Sequence, residues 1–494
     1  MKQFNAWTIC GSIAVIVATG CADGSSGGGA ESESESESEA ESEAEAESES
    51  ESESESESES ESEAESESES ESESESEAES ESESESESES ESESESESES
   101  ESEAEGCGDG VCGDAETCGD CPNDCGTCDT LLSTPAGTVG RVNPECAFGG
   151  NGFAYVDYCE SPDSLAFVVS MDGETFGAPS TIDDGFAAPY YWGGHPIASD
   201  ASGNVYVVYE ASGSYDLVFL KSLDAITFTG GTEVASTTLN GLYPALAVPA
   251  IGVAHVAYTG YDGSEYDPWF TSNDNVFGGG AFSAAERVFS STVQDDSVAV
   301  AVLPSGAILV AWETFEGDLS IARSDDGGAS FDDPVAINDD AGAAQVGLAT
   351  FMVADDLGNV FVAWSDTRDD GEGDLYLDVS TDGGVSFGVD AQIASSTVRY
   401  QEDPSLAAVP GGGAVAVWMD LRTNVDYDVR WLQVSADGSV AAPDAPANTD
   451  AAGDQHNPCV AVGPDGKAVV AWRDFRNSPS SPDIYGRILP IVAP

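Results

Sequence analysis

Three arginines recur in one phrase: Arg368 in Trp-Ser-Asp-Thr-Arg, Arg422 in Trp-Met-Asp-Leu-Arg and Arg476 in Trp-Arg-Asp-Phe-Arg. A guanidinium presents a planar fork of donors that matches a carboxylate, so three of them converging would make an anion site. The same spacing also serves structure, because each Arg can close on its own Asp366, Asp420 or Asp474, or on the Asp opening the next strand, and so hold a hairpin. A feature repeated once per unit favours the structural use, and the three stay a candidate anion site only. Carboxylates are too abundant to single out two as a glycosidase acid and nucleophile, and no catalytic residue is assigned. His195 and His456 each stand close to a strand-opening Pro and His255 lies within a strand, which reads as structural. No cofactor is expected. The one ion the turns could hold is Ca²⁺, as at Asp369-Asp370-Gly371-Glu372-Gly373-Asp374, whose oxygens suit a hard cation, although solvated turn carboxylates explain the same residues.

The second concentration of chemistry is cysteine. Cys107, Cys112, Cys118, Cys121, Cys125 and Cys128 are crowded into a segment too short for a core of its own, so crosslinks or a metal must hold it. The Cys118/Cys121 and Cys125/Cys128 gaps suit a zinc knuckle, but an exported chain makes three disulfides the expectation, with the connectivity open. Asp109, Asp114, Glu116, Asp120 and Asp124 could hold Ca²⁺ there. The run resembles the small Cys-Gly-Asp-Gly modules of bacterial surface proteins. Among Cys146, Cys159 and Cys459 at most one further bridge can form; Cys146 and Cys459 fall on the first strands of units that would be neighbours in a closed ring.

Charge narrows the function classes. Of 96 acidic residues, 38 are the Glu at every odd position of Glu31–Glu105, and only 13 Lys and Arg oppose them. Nucleic acid and a bare anionic membrane are excluded as partners, since both need basic residues. The Glu-Ser tract has nothing to bury and repels itself in either regular structure, so 22–105 reads as a disordered, extended spacer. Ahead of it, Met1-Lys2, an apolar run to Val17 and Ala18-Thr19-Gly20-Cys21 form a secretory signal too short to span a membrane. The small residues before Cys21 resemble the lipobox of bacterial lipoproteins, with Ala18 where Leu is usual. That resemblance implies cleavage after residue 20, lipidation of Cys21 and, with Ala22 following, an outer-membrane or cell-surface location. The membrane would then be met only through the lipid.

These chemistries need a scaffold, and residues 130–494 supply a repeated one. An alternating apolar strand ends in an aromatic at Tyr158, Tyr209, Tyr258, Trp312, Trp364, Trp418 and Trp472, followed by a turn and a second strand. A Pro precedes the aromatic by 13 or 14 residues in five copies, at Pro144, Pro196, Pro244, Pro404 and Pro458, and is expected to open the unit's first strand. Each unit reads as four strands, for example Ser405–Val409, Ala414–Met419, Asp428–Val434 and one near Ala441–Ala447. Four strands every 50 residues or so, with Gly-rich turns, predict an all-β fold: a β-propeller of seven four-stranded blades. The last unit lacks its outer strand, and the segment around Thr130–Val139 can provide it, removing an open edge.

After the third strand, Ser324-x-Asp326-x-Gly328-x-x-Phe331 and Ser380-x-Asp382-x-Gly384-x-x-Phe387 share one pattern, with shorter versions at Ser170–Phe176, Ser222–Phe228 and Ser272–Phe277 and a remnant at Ser435–Gly438. Asp and Ser oxygens would satisfy turn N–H groups, Gly the positive φ, and Phe the gap between sheets. The pattern resembles the Asp-box of the sialidase-like (BNR repeat) propellers. That resemblance implies, for an active member, three Arg clamping the substrate carboxylate, a Tyr–Glu nucleophile pair and an Asp acid/base. Gly140-Arg141-Val142-Asn143-Pro144 departs from the family's first-Arg stretch, and seven units stand where sialidases have six, so no role is carried onto Arg141. The reading is a monomeric, surface-anchored, non-enzymatic binding or adhesion module for a glycan or protein, with a sialidase-type hydrolase as the alternative.

Overall fold

The computed structural model describes residues 128–492 apart from 135–139, 161–163, 183–193, 213, 215, 235–239, 262, 348–349, 370 and 397. The signal, Cys21, the spacer and the cysteines from Cys107 to Cys125 lie outside the described residues; Cys128 is described and is disulfide-bonded. The described residues form strands and turns with no helix, arranged as seven antiparallel sheets. Blades 1 to 7 cover residues 141–182, 197–233, 240–287, 295–336, 344–392, 401–446 and 455–490, the last completed by Thr130–Leu131 paired to Asp483–Pro490. The first strands of successive blades contact one another all the way round, including Arg141–Phe148 with Gln455–Val462, so first strands line the axis and fourth strands the rim. The fold is the seven-bladed, all-β propeller that the aromatic repeat predicts.

Second strands carry the packing. They are buried almost throughout on both faces, and the repeat aromatics Trp312, Trp364, Trp418 and Trp472 are among the largest fully buried residues. Each core cluster draws on two adjacent blades, so a blade's apolar face is covered only by its neighbour. The turn motifs lock the same seam. Asp326 accepts from the Ser324 hydroxyl (2.8 Å), the Ser330 N–H (2.9 Å) and the Ser330 hydroxyl (2.6 Å), and the Ser330 bonds hold its carboxyl down at about 2. Asp382 repeats this with Ser380 and Ser386. Gly328 at φ +87° lies under the Phe270 ring of the preceding blade, against which Phe331 also packs edge-on, and Gly384 lies under Leu309. Phe387 packs on the core shared by blades 4 and 5.

Ring closure has three layers at the junction of blades 7 and 1. On the axis, Cys146 and Cys459 form a disulfide, and Cys159 stays outside it. Arg141, buried, bonds both Glu160 (2.9 Å) in its own blade and Asp483 (3.2 Å) in blade 7. At the rim, Asp129 accepts from the Thr449 N–H (2.9 Å) and from Arg476 (2.9 Å) beside the Thr130–Leu131 strand.

One expectation needs correction. Four of the five prolines, Pro144, Pro244, Pro404 and Pro458, sit inside their first strands, whereas Pro196 stands just ahead of its strand, Ile197–Ser199, as expected. Blade 6 begins at Gln401, not Ser405, with Pro404 within the strand. The closing strand falls where expected, as Thr130–Leu131 against Asp483–Pro490; residues 135–139 of that segment lie outside the described residues.

Candidate functional site at the axial mouth

The displaced prolines mark the site. Opposite the repeat aromatic, two residues of the first strand face one of the second, a β-bulge, at Asn143-Pro144 against Tyr158, Tyr243-Pro244 against Tyr258, Ser297-Val298 against Trp312, Asp403-Pro404 against Trp418 and Asn457-Pro458 against Trp472. The leading residue is left-handed in all five, at φ 51°, 49°, 25°, 50° and 49°. L-residues with side chains rarely hold that conformation, and bulges re-aim side chains beside functional sites. His195 takes the matching place before Pro196 in blade 2, where the Pro196 carbonyl accepts from Val208. The polar residues Asn143, His195, Tyr243, Ser297, Asp403 and Asn457 therefore form a collar on the innermost strands, all at the end of the ring reached by the turns between second and third strands.

Carboxyls dominate around this collar. Glu145 stands opposite Asp157 in the ladder, and burial pushes it up to about 8. His195 Nδ1 lies 3.4 Å from Asp157 Oδ1 in a wholly buried pair; burial disfavours the charged imidazole, but Cys159 and then Asp157 hold it well above its ordinary value. Glu210 accepts from the Tyr243 N–H (2.7 Å) and burial raises it to about 7. Asp296 faces Glu313 across blade 4, and burial lifts Glu313 to about 8.

Blades 6 and 7 make the most developed wall. The Tyr427 hydroxyl donates to Glu402 Oε2 (2.9 Å), and Asn457 Nδ2 donates to Asp403 Oδ2 (3.1 Å), tying two blades together. Burial, then the Glu402 charge, raises Asp403 to about 6. The rings of Tyr427, His456 and Phe475 follow one another at 5.2 and 5.5 Å, and the Arg473 guanidinium rests over Phe475 at 4.7 Å. Burial drops His456 to about 4, so this aromatic slab is neutral at pH 7. All four slab residues are partly exposed.

The three repeated arginines lie elsewhere, at the rim of the same end. Arg368 bonds Asp366 and Asp390, both at 2.5 Å; Arg422 bonds Asp420 (2.7 Å) and Asp444; Arg476 bonds Asp474 (2.7 Å) and Asp129 (2.9 Å). Each first carboxylate also accepts from the indole of its blade's Trp364, Trp418 or Trp472. The second carboxylate lies on or beside the blade's outer strand, not at the opening of the next strand, and the structure does not bring the three guanidiniums together. Asp129 thus takes in blade 7 the place of Asp390 and Asp444. In blade 4 the Asp after the Trp is replaced by Thr314, and Asp295 stands across the ladder from it; burial pushes that carboxyl up to about 7 despite the Trp312 indole. In the Asp369–Asp374 turn, Asp369 accepts from Tyr376 (2.9 Å), Glu372 pairs with Arg399 (3.1 Å), and Asp370 lies outside the described residues. Among the described residues no group of three or more His, Cys, Asp or Glu is arranged to hold a metal.

The sequence reading passed over the collar and the slab. The available signal was the residue before each repeated Pro, polar in all five cases, at 143, 195, 243, 403 and 457.

No family model and no curated relative matches the sequence. Solved structures similar to the chain include a protein of unknown function from Dyadobacter fermentans (13% identity, 74% of this chain and 98% of that one, TM-score 0.47). Others are a PL25 ulvan lyase (12%, 73% and 95%, 0.48) and the α-L-arabinofuranosidase Arb93A of Fusarium graminearum (11%, 74% and 97%, 0.46). A Hadza microbial sialidase, Hz136, is similar at 14% identity over 72% of this chain and 66% of that one, TM-score 0.40. At such identities these likenesses concern the propeller fold and carry nothing about activity.

Proposed function

We propose that the chain is an exported, non-catalytic binding module, held by lipid on Cys21 and a long acidic spacer, that takes its ligand at the axial mouth of the propeller. One observation carries this reading. Eight of the ten arginines are ion-paired to carboxylates of the chain itself; of the other two, Arg473 lies over Phe475 and Arg487 donates to the Ala447 carbonyl (2.7 Å). A sialidase-type hydrolase spends three guanidiniums on its substrate's carboxylate, and here the carboxylates that neutralise them are built in.

The alternative, a sialidase-type glycoside hydrolase, has one feature in its favour: the Tyr427–Glu402 pair at the mouth. Assaying the full chain on a fluorogenic sialoside, beside a glycan and surface-protein binding screen, separates the two. The binding reading expects no turnover and a screen hit that His456→Ala abolishes; turnover that Glu402→Gln removes would establish the hydrolase instead. Labelled fatty acid in the membrane fraction, present for the wild type and absent for Cys21→Ser, tests the anchor.

A further inference from the structure

The residue before the repeat aromatic is Val or Ala in blades 2 to 7 and an acid in blade 1 alone, Asp157. A feature present once is not the blade's scaffold, and a carboxylate buried in an apolar seam is costly unless something is paired with it. Alternation along Ala154–Glu160 puts Tyr155, Asp157 and Cys159 on one face, the face packed on blade 2. From blade 2, His195 reaches back into the same place. Its Nδ1 lies 3.4 Å from Asp157 Oδ1, and Cys159 interacts with the same ring. All three side chains are buried, His195 to 1% exposure.

We propose that Cys159 Sγ and His195 Nε2 form a closed two-ligand seat for a soft monovalent cation of the copper(I) class, with Asp157 orienting the imidazole. Two observations carry this independently. Cys159 is the one cysteine outside a disulfide among the described residues, and a thiolate beside an imidazole is a donor set that copper(I) selects. The other is the buried imidazole: no hydrogen bond of good geometry reaches Nε2 among the described residues, while Nδ1 faces a carboxylate. Carboxylate–histidine–metal sites divide the ring in this way, the outer carboxylate holding one nitrogen so that the other meets the metal. A buried nitrogen with nothing to bind calls for an explanation. A cation between Nε2 and Sγ supplies one and needs no cavity, because it takes the place of the protons those atoms carry. Those protons leave to solvent on loading, so the affinity rises with pH. Two donors satisfy copper(I), whereas zinc wants a fuller set, and no group of three or more such residues is arranged for a metal among the described residues. Glu145, partly exposed on the axial strand opposite Asp157, gives the cation its way in from the axis.

Copper(I) held by a chromophoric chelator under ascorbate, which leaves disulfides intact, is titrated anaerobically with the full chain; silver(I) and zinc(II) are the competing probes, and X-ray absorption at the copper edge reads the ligands. The expected result is one equivalent of copper(I) taken from the chelator, displaced by silver(I) and not by excess zinc(II), with one sulfur and one nitrogen around the copper and weaker uptake as pH falls. Cys159→Ser and His195→Gln should each lose that equivalent, Asp157→Asn should lower the affinity about tenfold, and Cys146→Ala/Cys459→Ala should keep it. The absorption measurement on the wild type needs no variant, so it decides the matter even where Cys159→Ser or His195→Gln folds poorly. No uptake by the wild type, two or more sulfurs around the copper, displacement by zinc(II), or an equivalent retained in folded Cys159→Ser overturns the proposal.

Discussion

Breaking the axial disulfide should cost more than any other single perturbation of this propeller. Cys146 and Cys459 are 313 residues apart, so the bridge closes almost the whole described chain into one loop. Loop-closure entropy grows with the logarithm of that length and gives about 5–6 kcal/mol at 25 °C, at the upper end of what disulfides deliver. With an unfolding entropy of about 2.1 cal/mol/K per residue, a domain of this size turns that into a fall in midpoint of about 7 °C. The bridge joins first strands on the axis, whereas the Thr130–Leu131 strand and the Asp129–Arg476 pair act at the rim; cutting the bridge therefore leaves the non-covalent closure in place and isolates its own contribution. Calorimetry of wild type and the Cys146→Ala/Cys459→Ala double variant reads it, with reductant expected to move the wild-type transition down to that of the variant and to leave the variant's propeller transition where it is. A double variant melting within a degree of wild type would refute the reasoning and assign closure to the non-covalent contacts alone.

Two further outcomes are expected. Burial raises Glu145 and Glu313 to about 8, Glu210 and Asp295 to about 7, and Asp403 to about 6; the folded state then keeps protons that the unfolded chain releases near pH 4 to 4.5, so stability falls as pH rises from about 4.5 to 8. The staple aspartates act oppositely and lower down, since Asp224 and Asp326 at about 2 lose their contribution only in strong acid. Melting midpoints across pH should peak in mild acid, and a midpoint equal or higher at pH 8 than at pH 5 counts against the buried-acid account. At the turn, Gly328→Ala should destabilise by about 3 kcal/mol and Gly327→Ala by about 1, because both are left-handed but only a Cβ at Gly328 meets a ring, Phe270, at 2.1 Å; denaturant midpoints of the two variants compare them directly.

The propeller was legible because its signals are local and repeat: the aromatic of the second strand, the Ser-x-Asp turns and the Gly-rich breaks recur at fixed offsets. Even the Cys146–Cys459 bridge followed from repeat position. Less was legible where the relevant neighbour lies on another strand or blade. Arg368–Asp390 and Arg422–Asp444 share a 22-residue offset that could have been read, but nothing periodic in the sequence pairs Arg476 with Asp129 across 347 residues. The swap of the Trp-blade aspartate to Asp295 becomes visible only across the ladder. The slab needs Tyr427 from the turn after one second strand, His456 from the next blade's first strand and Phe475 from that blade's own turn. The collar was hidden by a subtler cause: an X-Pro step reads as the start of an extended segment, and here it is a bulge inside one.

The strand that closes the ring is the first part of the propeller to be made, and its partner is the last. Thr130–Leu131 has nothing to pair with until Asp483–Pro490 exists, and Cys146 likewise waits for Cys459. Each blade leans on its predecessor, yet one face of blade 1 is covered only by blade 7. Completion is therefore a single late event. A chain cut short of the final strand lacks both partners of that closure and leaves the ring open at both ends.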